Sequence, residues 1–118
     1  MNENHPALPT REPAVAGQFY PGNPDALRNE LEHLFAGTAS KPGKGNTLAI
    51  ISPHAGYIYS GPIAAAAFME IDPEKDYDNV FVIGSSHRYA FDGASLYTQG
   101  NYKTPLGIVP VNIKLSRE

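Results

Sequence analysis

The sequence predicts an α/β fold built on a mainly parallel sheet, and three observations predict it. Two short, continuous apolar runs, residues 47–51 and 80–83, read as strands covered on both faces. A helical pattern lies between them, and the 28 residues separating Ile51 from Val80 suit a right-handed β–α–β crossover. Each run ends in small or turn-forming residues that set down a histidine, His54 after the first and His87 after the second.

Taken in order, residues 1–10 read as a flexible or extended N-terminal arm, with Pro6 and Pro9 and little apolar content, and residues 11–118 as one domain. A short apolar segment, Val15-Ala-Gly-Gln-Phe-Tyr20, is stopped by Pro21-Gly22; its aromatics Phe19 and Tyr20 serve either as core anchors or as a site wall. A well-punctuated helix follows. Asn23 is placed to cap it, Pro24 takes the first helical position and Asp25 suits the positive end of the dipole. Leu27, Leu31, Leu34 and Phe35 share one face, and Gly37 stands where a terminating glycine belongs. His33 lies off that face and reads as a solvated surface residue.

Residues 39–46 read as a linker. Its Gly43-Lys44-Gly45 is not a phosphate loop, because the glycines precede a strand and no Gly-Lys-Ser/Thr occurs. In the second helix Ser60 is the expected cap with Pro62 near the start, an alanine-rich face from Ile63 would lie close against a sheet, and Asp72-Pro73 closes it. Beyond His87, Asp92-Gly93 and Gly100-Asn101 are turn signals and residues 94–98 alternate as a half-exposed strand would. Residues 102–107 read as a loop and residues 108–111 as a short apolar piece. The stretch from Asn112 fits either a strand end or a helix opening there.

Composition narrows the function classes. Apolar residues make up 42% and charged residues 18%, the balance of a globular chain. Gly and Pro account for 22 of 118 residues, above the roughly 12% of average usage, so many chain reversals are expected. The net charge of −3 has no basic stripe, which argues against nucleic acid as a partner. With no cysteine, thiolate catalysis, disulfides and Cys-based metal sites are excluded from these residues. No apolar run reaches the ~18 residues of a membrane span and no secretory signal is visible, so a soluble cytoplasmic protein without membrane contact is the expectation.

The chemistry depends on whether the two histidines meet. Groups just beyond the carboxyl ends of neighbouring parallel strands line a shared crevice. His54 and His87 would both stand there, and neutral imidazole is a frequent metal ligand. A catalytic metal site takes a third protein ligand. Asp92 is the local carboxylate, although its place before Gly93 favours turn chemistry. A structural role for each histidine, bonding loop backbone, remains the competing reading. No Gly-x-Ser-x-Gly elbow supports a serine hydrolase. Tyr57 and Tyr59 flank the first histidine as loop aromatics able to hold a substrate.

Several of these pieces occur together elsewhere. Arg11 with Ala16-Gly17-Gln-Phe19-Tyr20-Pro21, Ile51-Ser-Pro-His-Ala-Gly-Tyr57 with Tyr59-Ser-Gly61, Val82-Ile-Gly-Ser-Ser-His87 and Tyr102-Lys-Thr-Pro-Leu-Gly107 resemble, in order and spacing, the N-terminal part of the Memo family, called AmmeMemoRadiSam system protein B in prokaryotes. The resemblance implies the α/β sandwich shared with class III extradiol dioxygenases, present here as a fragment of a longer domain. It implies that His54 and His87 are metal ligands, with iron the expected metal and copper the alternative. Phe19 would line the pocket beside them and a helix would open at Asn112; Tyr20, Tyr57 and Arg88 are further pocket candidates read from the residues themselves. Family members run to more than twice this length, and their remaining pocket residues, a histidine and a cysteine, lie in the other part. Where many relatives carry a second histidine, this chain has Arg88. Three functions follow as expectations: a metal-dependent redox or dioxygenase-like enzyme, a non-catalytic pocket for a phosphopeptide or small ligand using Arg88, or an inactive fragment. Radical-SAM and AMME-type proteins are the functional neighbours the resemblance implies.

Overall fold

Asn23 begins the best-formed element of the chain. Its side-chain oxygen accepts hydrogen bonds from the backbone N–H of Asp25 and of Ala26, both at 3.0 Å, satisfying donors that a first helical turn leaves free. The computed structural model describes residues 8–39, 43 and 45–118. In chain order its elements are β1 (Thr10–Arg11), α1 (Pro24–Gly37), α2 (Tyr57–Phe68), β2 (Asn101–Thr104), β3 (Gly107–Val109) and a closing 3-10 turn (Leu115–Arg117). Of the expected N-terminal arm, residues 1–7 lie outside the described residues, and Thr10 already belongs to β1.

The expected stripe on α1 faces α2. Leu27 is buried, Leu31 and Leu34 are half-buried, and Gly37 is the last helical residue, with Thr38 as the cap beyond it. The two helices meet where α2 has no side chain. A β-carbon on Gly61 would stand 3.0 Å from Leu34 Cδ1, and Gly61 and the neighbouring Ala65 are buried. The alanine-rich face of α2 therefore packs on a helix rather than on the expected sheet.

α2 also starts earlier than its punctuation suggests. Gly56, not Ser60, is the N-cap, so Tyr57 and Tyr59 lie in the first helical turn instead of a loop. The hydroxyl of Ser60 donates to the Ala55 carbonyl at 3.0 Å, an anchor for the preceding loop rather than a cap. The helix ends at Phe68, before Asp72-Pro73. There Asp72 makes a local turn by accepting from the Glu74 N–H at 3.0 Å.

The sheet is mixed and comes from segments other than the two apolar runs. β1 pairs parallel with β2, with Thr10 opposite Asn101, and β2 pairs antiparallel with β3, with Lys103 opposite Ile108. Residues 102–107, expected as a loop, form the core of a hairpin. Pro105 fixes the turn backbone, and the Thr104 hydroxyl accepts from the Leu106 N–H and donates to the Gly107 carbonyl, both at 3.1 Å. Gly100 lets Pro9 approach β2, since a β-carbon there would stand 1.9 Å from the Pro9 carbonyl oxygen. Arg11 lies over the rings of Tyr97 and Tyr102, and Lys103 pairs with Glu12 at 3.0 Å.

Residues 47–51 and 80–83 are not strands, so the expected β–α–β unit does not form between them. Among the described residues no hydrogen bond involves the backbone of residues 48–51 or 80–83. Apolar side chains on both faces suit a strand only with cover above and below and neighbours on both edges. The described residues supply no edge neighbours and little cover: Ile50 is half-buried, but Ile51 and Ile83 stand 98% and 95% exposed. Residues 94–98 likewise form no strand, whereas Gly93 adopts φ +87°, as the Asp92-Gly93 turn signal requires. A helical turn does open at Asn112, whose side-chain oxygen accepts from the Leu115 N–H at 3.1 Å. No helix among the described residues is long and apolar enough to cross a membrane.

Candidate functional site

His54 and His87 meet. Their Nε2 atoms stand 3.1 Å apart and their ring centroids 5.3 Å apart, with the rings tilted by 39°. Both residues are exposed, so the point between the two nitrogens is open to solvent.

The His54 loop is held from both sides. Pro53 keeps the chain extended before it. After it, Ser60 ties down Ala55, and the Tyr57 N–H donates to the Phe19 carbonyl at 2.8 Å. Phe19 is set in place by a tight turn in which its own N–H and that of Gln18 both donate to Val15. Gly17, at φ +80°, lets that turn close on Tyr20. On the other side Ser86 brackets His87. Its hydroxyl donates to the Tyr89 carbonyl at 2.5 Å and accepts from the Tyr89 N–H at 3.2 Å, which fixes the bend carrying His87 and Arg88.

Of the expected pocket residues, Phe19, Tyr20 and Tyr57 gather on the His54 side. The Tyr20 and Tyr57 rings lie 5.6 Å apart, and an apolar cleft of about 230 Å³ opens beside them, walled by Leu31, Phe35, Pro53, Tyr57 and Phe68. Partial burial raises the Tyr57 phenol above its ordinary pKa, and the nearby Tyr20 and Glu30 add to the effect. Phe19 keeps nearly half of its surface exposed, and Arg88 and Tyr59 are exposed. Asp92 sits in its turn, and among the described residues no three His, Cys, Asp or Glu side chains converge on one point.

The spacing of the two histidines can be compared with metal geometry. At a metal–nitrogen distance of about 2.0–2.1 Å, two ligands in square or tetrahedral relation stand about 2.8–3.4 Å apart. The observed 3.1 Å falls in that interval, as two nitrogens sharing a single ion would. Without one, the same distance suits an Nε2–H···Nε2 hydrogen bond between complementary tautomers. The loop anchors from Ser60, Phe19 and Ser86 escaped sequence reasoning. Each joins residues through backbone carbonyls, which any residue type provides, so composition carries no signal for them.

A family model for Memo-like proteins matches residues 11–118, and the chain belongs to the Memo family. A MEMO1 family protein of Thermotoga maritima is 40% identical over 111 residues, covering 86% of this chain and 40% of that protein. One from Sulfolobus acidocaldarius is 36% identical over 118 positions, covering 92% and 42%. One from Methanothermobacter thermautotrophicus is 40% identical over 112, covering 90% and 40%. The chain thus spans about two-fifths of the length of these relatives.

Proposed function

We propose that His54 and His87 are two ligands of a single metal site in a Memo-family protein with a class III extradiol dioxygenase-like fold, and that the whole protein is a metal-dependent redox enzyme. The 3.1 Å separation of the two Nε2 atoms carries this reading. Iron, or alternatively copper, bound there would supply Lewis-acid and one-electron chemistry. The residues of this chain would hold the ion and shape the approach to it. Ser60 and Phe19 hold the His54 loop, and the Ser86–Tyr89 bend shapes the local backbone that carries His87. Tyr57, protonated at neutral pH, offers a hydroxyl donor at the edge of the apolar cleft. A small-molecule or peptide substrate, a cytoplasmic setting and association with radical-SAM and AMME-type proteins belong to the same proposal and rest on family membership.

Calorimetric titration with anaerobic Fe(II), and separately Cu(II), tests the assignment. The chain should take up one ion, and His54→Ala or His87→Ala should each weaken binding at least tenfold. Circular dichroism should be unchanged, because both side chains are exposed. Metal affinity that survives the double substitution would refute it.

A further inference from the structure

The segment that carries Phe19 and Tyr20 to the His54 loop is fastened at its other end to the β2–β3 hairpin. Residues 9–12 make three attachments there. The Asn101 N–H donates to the Pro9 carbonyl at 3.0 Å, and Glu12 pairs with Lys103 at 3.0 Å. Between them, the Arg11 guanidinium lies 5.7 Å from the Tyr97 ring centroid and 5.6 Å from that of Tyr102, two rings that themselves stand 5.2 Å apart. A planar guanidinium stacked on aromatic rings is held in orientation as well as in place.

The far end of the same segment completes the start of α2. The first N–H groups of a helix have no partner within it, and Gly56 offers no side-chain cap. The Phe19 carbonyl supplies the missing acceptor, taking the Tyr57 N–H at 2.8 Å. The approach is close, since a β-carbon on Gly56 would stand 3.5 Å from Phe19 Cα, and the Tyr20 and Tyr57 rings meet at 5.6 Å. Pro13 restricts the short span between the two ends. Among the described residues no hydrogen bond joins the hairpin directly to α1 or α2, so residues 9–20 provide the link.

We propose that residues 9–20 are a strap through which the β2–β3 hairpin holds the aromatic wall beside His54, with Arg11 as its positioning residue. Arg11 acts through Tyr97 and Tyr102 and sets where Phe19 and Tyr20 stand against Tyr57. From the metal reading the proposal takes only the aromatic wall, and it holds with or without an ion at the histidines.

Nuclear magnetic resonance of the isotopically labelled chain provides the test, because protection of the Tyr57 N–H reports the strap directly. Arg11 is exposed, so Arg11→Ala should leave the helices intact. It should speed amide exchange at Tyr57 about tenfold or more and weaken the Overhauser contact between the Tyr20 and Tyr57 rings, while Ala65 within α2 keeps its rate. Arg11→Lys, which keeps a cation over the rings, should restore most of the protection. Gly100→Ala loosens the same clamp independently, because its β-carbon would collide with the Pro9 carbonyl oxygen, and should reproduce the pattern. Three results would overturn the proposal. One is a Tyr57 N–H and ring contact unchanged in both Arg11→Ala and Gly100→Ala. Another is exchange that rises equally at Tyr57 and Ala65, the mark of general destabilisation. The third is an Arg11→Lys chain no better protected than Arg11→Ala.

Discussion

The α1–α2 pair and the two apolar runs that flank α2 differ in where their backbone partners come from. Each helix satisfies its own N–H and C=O groups within about a turn, and α1 adds its own cap from Asn23. The two helices pack on one another, and Leu27 on α1 and Ala65 on α2 are buried. Residues 48–51 and 80–83 are more apolar than α1, yet all but the half-buried Ile50 are exposed and their backbone is unpaired, because a strand takes every backbone partner from outside itself. Hydrophobicity alone does not place a segment in a core; the segment also needs neighbours able to complete its hydrogen bonds.

Substitutions can break this contrast, and the largest effect belongs to the helix pair. Leu27→Ala should destabilise the chain by about 2–5 kcal/mol, the cost of deleting a buried leucine, and lower its thermal midpoint by many degrees. Asn23→Ala removes two cap hydrogen bonds and should cost about 1 kcal/mol, measurable by urea denaturation. Ile51→Lys, in one of the most apolar stretches, should change stability by no more than about 0.5 kcal/mol, because a 98%-exposed side chain loses no contacts. A loss comparable to that of Leu27→Ala would mean that the run is buried in solution and would erase the contrast.

The same distinction explains what could be read from the sequence. Signals that act within a few residues translate directly. Asn23-Pro24 opens α1, Leu27 and Leu34 mark its packed face, Gly93 makes its turn, and Asn112 begins a helical turn. Signals that need distant partners do not. β1 joins β2 across some 90 residues through two short polar segments, and nothing local in Thr10-Arg11 announces that pairing. The apolar runs, read as strands, failed for the complementary reason: their pattern describes an environment that the described residues do not provide. The early start of α2 is a smaller case, in which Ser60 has cap chemistry but spends its hydroxyl on Ala55.

The two histidines belong to both categories. Their positions after the apolar runs were legible, whereas their meeting across 33 residues of chain occurs without the expected parallel sheet, with the His54 loop tied to Phe19 and Ser60 and His87 carried on a local bend. Phe19, Tyr20 and Tyr57 gather beside His54 for a similar reason, through backbone contacts at the start of α2. Arg88 shares only the bend that carries His87.

Whether one ion binds both imidazoles is decided most directly by electron paramagnetic resonance of the chain loaded with one equivalent of Cu(II). Shared ligation by His54 and His87 predicts hyperfine structure from two imidazole nitrogens on one copper, reduced to a single nitrogen by either His→Ala substitution. A signal that both single variants leave unchanged, or one nitrogen in the unsubstituted chain, would contradict it.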